Sequence, residues 1–288
     1  MPSNTTAPDP RFRGAFTAVV TPFTADGAAI DTARLKAQIE FQAKGERGAS
    51  RGVRGIVVAG TTGESPTLTE PEYVQLIEQA VAIAGPLNLL VIAGTGSNCT
   101  AHAVHLQKVA QRAGAGATLS VNPYYNKPTQ EGLYGHFMMQ ADSSDLAIIL
   151  YNIPGRSGVA LSPETVERLA THPQIRAIKE ATGSTDSCGE IAVRCPGLAV
   201  LSGDDTMTLP FASVGAVGVV SVISNLVPGR VQALCDAFNA ADFALALRLH
   251  RELLRLARAM FVETNPIPVK AAMKLLGRDT GAMRLPMT

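Results

Sequence analysis

Lys179 is the lysine of this 288-residue sequence that is best placed for chemistry. It ends the run Arg176-Ala-Ile-Lys179, which is typical of a short buried strand, and Glu-Ala-Thr-Gly183 follows it. A four-carbon stem at a strand end reaches beyond the sheet, and burial of an amine favours its neutral form, which attacks carbonyl carbon. A structural lysine paired with Glu180 is the alternative interpretation.

The remaining lysines fall on predicted helices or on an exposed loop, where we expect them to be solvated. They are Lys36, Lys44, Lys108, Lys127, Lys270 and Lys274. Lys179 is therefore the candidate nucleophile.

A second candidate run is Tyr151-Asn-Ile-Pro-Gly-Arg-Ser-Gly158, which follows an apolar stretch. The Tyr151 phenol suits proton transfer beside a cationic imine, because a nearby carboxylate would quench that cation. Arg156 lies in a loop stiffened by Pro154, and its guanidinium could bind both oxygens of a carboxylate. A core tyrosine and a surface arginine are the alternatives.

The segment Gly60-Thr-Thr-Gly-Glu-Ser65 has the composition of an anion-binding loop. Its glycines allow backbone amides to face an anion, and the hydroxyls of Thr61 and Thr62 remain free for proton relay. A plain turn is the alternative.

Metal chemistry has weaker support. Ser202-Gly-Asp-Asp205 offers a carboxylate pair for acid–base work or a metal, but a turn with a helix cap is the favoured interpretation. The five histidines do not cluster with carboxylates, and the four cysteines show no CxxC spacing. We expect no metal site, no disulfide framework and reduced thiols.

The elements that must position these residues alternate between short β-branched runs and stretches of helical period, which predicts eight βα units. The predicted strands are Ala15–Thr21, Gly55–Ala59, Leu89–Ala93, Ala117–Val121, Ala147–Tyr151, Arg176–Lys179, Ala199–Leu201 and Gly218–Val222. Helix start signals lie between them: Asp31 before 32–44, Thr69-Glu-Pro-Glu72 before 73–84, and Ser162-Pro-Glu164 before 165–170.

Eight such units predict an α/β protein with a (β/α)8 TIM barrel, since no dinucleotide-binding fingerprint follows the first strand. Gly94-Thr-Gly96 lacks the third glycine and follows the third strand, so it does not predict a phosphate loop. Three surplus helices, over 229–239, 243–260 and 267–276, predict a C-terminal helical region. We divide the chain into a flexible lead-in (1–13), the barrel (14–227) and the helical region (228–288).

The helix over 243–260 has an apolar stripe opposite four arginines. We expect it to cover one mouth of the barrel or to form a subunit interface. Its leucines and methionine are Leu245, Leu249, Leu253, Leu256 and Met260, and the arginines are Arg248, Arg251, Arg255 and Arg258.

Composition excludes several classes of protein. The 46% apolar and 17% charged residues describe a globular protein, and a net charge of +1 disfavours nucleic acid as a partner. The apolar runs are shorter than a membrane helix requires, and the amino terminus has no signal-peptide core. We therefore expect a cytoplasmic protein that acts on small molecules.

Several segments, in this order, resemble the dihydrodipicolinate synthase family of the class I pyruvate-dependent aldolase and N-acetylneuraminate lyase superfamily. They are GTTGES at 60–65, NPYYNKPTQEGLYGHF at 122–137, LYNIPGRSG at 150–158, IKEATG at 178–183, SGDD at 202–205 and ETNPIPVK at 263–270. The resemblance runs from about Gly14 to Thr288. It implies a (β/α)8 barrel followed by helices, in agreement with the strand and helix pattern.

The implied activity is that of a lyase that condenses pyruvate with L-aspartate 4-semialdehyde, in diaminopimelate and lysine biosynthesis, without a cofactor. In the family's pattern Lys179 matches the lysine that forms the imine. The residues that match the proton relay are Tyr151, Thr61 and Tyr125. Those that match the substrate-binding positions are Thr62, Arg156, Gly203 and Val220.

The resemblance also implies an assembly and a regulatory site. Tyr125 matches a tyrosine lent across a tight dimer interface, so we expect a homotetramer built as a dimer of dimers. Asn98 and Tyr124 match residues that hold lysine in feedback-inhibited members. His102 stands where those members carry a glutamate, so we expect weak inhibition unless Glu70 reaches the pocket.

Two departures from the family pattern are present. The glycine-rich segment 45–52 is longer than the usual connection before the second strand, and we expect a solvent loop there. The sequence ends at Arg284-Leu-Pro-Met-Thr288, where members usually continue through one more helix.

Two rival functions stay open at this point. Another pyruvate-imine enzyme, such as N-acetylneuraminate lyase or a keto-sugar-acid aldolase or dehydratase, shares the lysine and tyrosine. Thr61, Thr62 and Arg156 favour the synthase over these enzymes. A catalytically silent barrel is the other rival, and the presence of every expected catalytic side chain argues against it.

Overall fold

The computed structural model describes residues 7–288, and in them eight parallel strands close into a barrel in which each strand pairs with the next and β8 pairs with β1. The strands are β1 (Gly14–Ala18), β2 (Gly55–Val58), β3 (Leu90–Gly94), β4 (Ala117–Val121), β5 (Ala147–Asn152), β6 (Ile175–Glu180), β7 (Ala199–Ser202) and β8 (Gly218–Ser221). The predicted TIM barrel is confirmed.

Helices connect the strands and cover the barrel. They are α1 (Thr32–Lys44), α2 (Glu70–Ala84), α3 (Thr100–Arg112), α4 (Gln130–Ala141), α5 (Pro154–Ser157), α6 (Pro163–Leu169), α7 (Thr185–Arg194), α8 (Thr208–Ala212), α9 (Pro228–Asn239), α10 (Phe243–Ala259) and α11 (Ile267–Leu275). The caps predicted at Asp31, Thr69 and Ser162 are present. Helix α2 starts before the predicted Tyr73, because Thr69 forms a capping box with Glu72.

Strand β1 is shorter than predicted, ending at Ala18 instead of Thr21. The apolar pattern continues to Val20, but the Val20 amide donates to the side chain of Asn225 and not to a strand. A buried apolar run therefore continues past the point where the ladder ends.

The barrel interior is filled by inward-facing side chains that alternate along the strands with outward-facing ones. Phe12, in a short 3₁₀ helix over Pro10–Phe12, belongs to this interior cluster and is fully buried. The predicted lead-in over 1–13 is therefore ordered in this part, because a phenylalanine gains free energy by leaving water. The rest of that prediction, at residues 1–6, lies outside the described residues.

The segment over 45–52 has a structural role that the sequence did not predict. The Glu46 carboxylate accepts hydrogen bonds from the amides of Gly229 and Arg230, at 2.7 and 2.9 Å. These amides are at the N-terminus of α9, which has no side-chain cap of its own. The segment thus caps the helix that begins the C-terminal region, satisfying donors that α9 leaves unpaired.

Helix α10 packs against α9 and against the segment Asp205–Ala212 that follows β7. Leu253 and Met260 of the predicted apolar stripe are buried, and its other members pack partly buried against the core, so the stripe does face protein. Within residues 7–288, no helix has both the length and the apolar character to cross a membrane.

Candidate active site

Tyr151 and Lys179 are paired neighbours on β5 and β6, at the carboxyl end of the barrel. Both face the interior, where they are 6% and 7% exposed. The Lys179 Nζ atom lies 4.0 Å from the centroid of the Tyr151 ring. The two residues therefore place a largely buried amine against a phenol at adjacent strand ends, where the strand pattern predicted them.

Glu180 faces the opposite side of β6, because side chains alternate along a strand. Its carboxylate accepts hydrogen bonds from the Asn152 side chain at 3.0 Å and from the Thr182 amide at 2.8 Å. Burial raises the pKa of the Glu180 carboxyl above its usual range. Glu180 is thus directed away from Lys179, and the alternative in which it pairs with Lys179 is wrong.

Asn122 and Asn152 continue this buried hydrogen-bonded layer behind the site. The Asn122 side chain donates to Asn152 Oδ1 at 3.2 Å, and Asn152 also binds the amide of Leu161. The layer joins β4, β5 and β6 to the loop that carries Arg156. The sequence analysis did not identify this layer, although Asn122, Asn152 and Glu180 each directly follow a strand-end residue whose side chain faces the barrel interior.

Gly203 follows β7 and approaches Lys179 closely. A Cβ atom at this position would lie 3.1 Å from Lys179 Cε and 2.7 Å from the Ala181 Cβ. The Gly203 amide donates to the Glu180 carbonyl at 2.7 Å. Only a residue without a side chain leaves this space to the lysine stem.

The loop over 60–65 forms a compact turn beside the site. The amides of Gly63 and Ser65 both donate to the Gly60 carbonyl, and Thr21 Oγ1 donates to the Gly63 carbonyl at 2.6 Å. Thr61 and Thr62 both line the cavity. The turn interpretation and the anion-binding interpretation are therefore compatible, because the turn is what presents these hydroxyls.

Asn265 links this loop to Arg156. Its Nδ2 donates to Thr62 Oγ1 at 2.9 Å, while its carbonyl accepts from the Arg156 guanidinium at 3.2 Å. Asn265 belongs to the ETNPIPVK segment, for which we predicted no role. The sequence feature that could have identified Asn265 was its place in a segment that carried the family resemblance.

These residues surround one cavity of about 590 Å³ at the carboxyl end of the barrel. Lys179, Tyr151, Thr61, Thr62, Arg156 and Gly203 all line it. Val220 does not line it: Val220 is 1% exposed within the barrel interior, and Val222 forms the wall on that side. The expected contact of Val220 is through its backbone, so it stays a prediction that the position of the side chain does not decide.

Tyr125 stands apart from this cavity. Its side chain is 89% exposed, and its backbone has a φ of 73°, in the left-handed region that non-glycine residues rarely adopt. The Tyr125 amide donates to the Ser157 carbonyl at 3.3 Å, which ties this loop to the Arg156 loop. An exposed aromatic side chain is thus held on a constrained backbone.

Three of the candidate regulatory residues line the same cavity. Glu70, His102 and Tyr124 line it, whereas Asn98 lies beside it and accepts a hydrogen bond from Asn126 through its carbonyl, at 2.8 Å. Glu70 Oε1 lies 2.8 Å from His105 Nε2. Glu70 therefore lines the cavity, but its carboxylate is paired with His105, which does not line it.

The two aspartates of the 202–205 segment are structural. Asp204 caps the turn by accepting from the Thr206 amide at 2.7 Å, and Asp205 accepts from the amides of Val222 and Ile223. Burial raises the pKa of the Asp205 carboxyl. Across residues 7–288, no group of three or more His, Cys, Asp or Glu side chains is arranged to hold a metal ion.

The site thus combines a buried amine, a phenol, two hydroxyls and a guanidinium. The amine is suited to imine formation with a ketone, and the phenol and hydroxyls to proton transfer. The guanidinium at the mouth is suited to a carboxylate. These groups fit covalent catalysis on an anionic carbonyl compound.

Comparison with known proteins agrees with this chemistry. The model of the dihydrodipicolinate synthetase family matches residues 11–288. The 4-hydroxy-tetrahydrodipicolinate synthase of Geobacter sulfurreducens is 47% identical over 277 residues, which cover 96% of this chain and 92% of that protein.

Two solved structures show the same fold. The dihydrodipicolinate synthase from Aquifex aeolicus has a TM-score of 0.90 at 45% identity, covering 96% of this chain and 92% of that one. The chloride-inhibited dihydrodipicolinate synthase from Acinetobacter baumannii, complexed with pyruvate, has a TM-score of 0.90 at 40% identity, covering 96% and 93%.

Proposed function

The chain belongs to the dihydrodipicolinate synthetase family, and on this premise we propose that it condenses pyruvate with L-aspartate 4-semialdehyde through an imine on Lys179. The product is 4-hydroxy-tetrahydrodipicolinate, so the enzyme is a lyase of diaminopimelate and lysine biosynthesis. No cofactor is required, because the lysine amine supplies the electrophilic activation.

The first half of the reaction takes place on pyruvate. The neutral Lys179 amine adds to the ketone carbon, and loss of water leaves a cationic imine. Thr62 and neighbouring backbone amides hold the pyruvate carboxylate, while Tyr151 and Thr61 move the protons that the addition and dehydration require. The imine cation then withdraws electrons from the methyl group, which loses a proton to give an enamine.

The second half joins the two substrates. The enamine carbon attacks the aldehyde carbon of the semialdehyde, which forms the carbon–carbon bond and regenerates the imine cation. Arg156 binds the carboxylate of the semialdehyde at the cavity mouth and so orients its aldehyde toward the enamine. The semialdehyde's amine then displaces Lys179 from the imine, which closes the ring and frees the enzyme.

The single observation that carries this proposal is the pairing of Tyr151 with Lys179 on adjacent strands, with the amine 4.0 Å from the phenol ring. Arg156 at the same cavity favours the synthase over lyases that take a polyol. The family relationship and the complete set of catalytic side chains disfavour a silent barrel.

The experiment is reductive trapping. Incubation with pyruvate and borohydride, followed by intact-mass and peptide measurement, should add one reduced pyruvate at Lys179. Lys179→Ala should lose the adduct and keep the fold, whereas Lys127→Ala, an exposed lysine in the loop after β4, should retain it. A coupled assay with the semialdehyde then separates synthase from lyase. Trapping at another lysine contradicts the assignment.

We also propose that the working form is a homotetramer in the cytoplasm, assembled as a dimer of dimers. The exposed Tyr125 supports a shared site, because its strained backbone holds the aromatic side chain outside the cavity of its own chain. A twofold interface would bring each Tyr125 to its partner's cavity, where its phenol completes the proton relay.

A further inference from the structure

Glu64 and Lys270 form a buried ion pair that links two distant parts of the chain. Lys270 Nζ lies 2.5 Å from Glu64 Oε1, and the two side chains are 0% and 1% exposed. The expectation that Lys270 is solvated is therefore wrong. A helical pattern placed this lysine on α11, but its environment is set by packing between residues about two hundred positions apart.

Each end of the pair is held by further contacts. Lys270 Nζ also donates to the Ala282 carbonyl at 2.7 Å and lies 4.5 Å from the centroid of the Phe23 ring. The second Glu64 oxygen accepts from the Arg284 amide at 3.0 Å. Both carboxylate oxygens are thus bound by groups from the C-terminal region.

Glu64 connects these contacts to the loop that carries Thr61 and Thr62. Glu64 is two residues after Thr62 in the loop over 60–65, and its backbone has a left-handed φ of 54°. Its side chain points away from the cavity that Thr61 and Thr62 line. A strained residue at this point requires surrounding contacts to hold it.

We propose that Glu64 and Lys270 are positioning residues, through which the C-terminal region holds Thr61 and Thr62 in the geometry that binds the pyruvate carboxylate. Asn265, which donates to Thr62, acts from the same region. This inference rests on the proposed function for what the loop binds, but the restraint on the loop is a property of the chain itself.

Removal of one partner alone would leave a buried charge, which destabilises the whole fold. The main test is therefore the double variant E64Q/K270M, which removes both charges. E64Q is measured beside it, because it keeps the shape of the Glu64 side chain but leaves the Lys270 ammonium unpaired, so its loss of stability is compared with that of the double variant. The matched control is Arg278→Met. Arg278 lies between α11 and the C-terminal tail, but it donates to the Leu226 carbonyl and stacks on Phe41, away from the loop.

Two measurements are made on each folded variant. Hydrogen exchange of peptides covering 60–65 should be faster in E64Q/K270M and E64Q than in the parent, and unchanged in R278M. The KM for pyruvate should rise about tenfold or more in both Glu64 variants, since small displacements of binding groups are costly. Borohydride trapping at saturating pyruvate should still modify Lys179.

Unchanged exchange at 60–65 in a folded variant would overturn the proposal, as would an equal rise in KM for R278M. Failure of both E64Q and E64Q/K270M to fold, with R278M folded, would assign the pair to global stability and overturn it too. A parent enzyme that traps no pyruvate would instead contradict the proposed function. The exchange measurement would still decide whether the pair restrains the loop.

Discussion

A side chain at Gly203 would crowd Lys179: its Cβ would lie 3.1 Å from Lys179 Cε, and it would collide with Ala181, whose Cβ would be 2.7 Å away. We expect Gly203→Ala to lower the rate of pyruvate trapping by about tenfold or more, because the lysine stem must move from its attack geometry. Gly155→Ala is the matched control, since its Cβ would enter open space near the cavity mouth. Equal rates in the two variants would contradict this prediction.

Arg156 should act on the second substrate more than on pyruvate. Loss of a charge-assisted contact costs about 1.5–3 kcal/mol, and the exposed position of Arg156 favours the lower end. We expect Arg156→Ala to raise the KM for the semialdehyde about tenfold, with half-maximal pyruvate trapping unchanged. Equal effects on both substrates, or none, would count against the assignment.

Tyr125 should matter only in an assembly. We expect Tyr125→Phe to lower kcat while the sedimentation of the oligomer stays the same, because only the phenolic hydroxyl is removed. Tyr124→Phe, at the neighbouring and less exposed tyrosine, is the control. A parent enzyme that sediments as a fully active monomer at assay concentration would refute the shared site.

Free lysine should inhibit the enzyme weakly. His102 cannot act as the anion that a lysine ammonium requires, and the Glu70 carboxylate in the same cavity is partly occupied by His105. We expect half-inhibition above about 1 mM, equivalent to binding weaker than about −4 kcal/mol.

Two variants examine this inhibition at fixed, subsaturating pyruvate. His102→Glu should lower the half-inhibiting concentration of lysine, because it restores an anion at this position. Glu70→Gln should leave it unchanged. Strong inhibition of the parent enzyme that Glu70→Gln abolishes would show that Glu70 replaces the missing glutamate.

His136 should make the fold sensitive to acid. Burial lowers the pKa of its imidazole from 6.5 to about 4, and its Nδ1 lies 2.9 Å from Thr100 Oγ1. The unfolded chain therefore takes up this proton first, so the stability that His136 contributes is complete above pH 6.5 and is lost as the pH falls toward 4. The loss reaches about 3 kcal/mol.

The measurement is the free energy of unfolding by denaturant between these pH values. His136→Gln should flatten its pH dependence, whereas His102→Gln, at an exposed imidazole, should not. The same slope in the parent and in His136→Gln would show that other groups cause the acid sensitivity.

The sequence alone determined the barrel and the position of Lys179 and Tyr151. Strand periodicity is local, since each apolar run and each cap is decided by neighbouring residues, and a lysine or tyrosine that ends such a run must lie at the carboxyl end of the sheet. The direction of Glu180, away from Lys179, follows from the same alternation, once the strand is known to extend past Lys179.

The tertiary structure decided what depends on contacts between remote segments. Helical periodicity placed Lys270 on a helix, but only packing against Glu64 and the carbonyl of Ala282 makes it a buried partner of the loop over 60–65. Glu46 likewise caps α9 from a loop about 180 residues away. Such contacts form because buried charges and unpaired backbone amides need partners, and no local pattern in the sequence shows which remote residue supplies the partner.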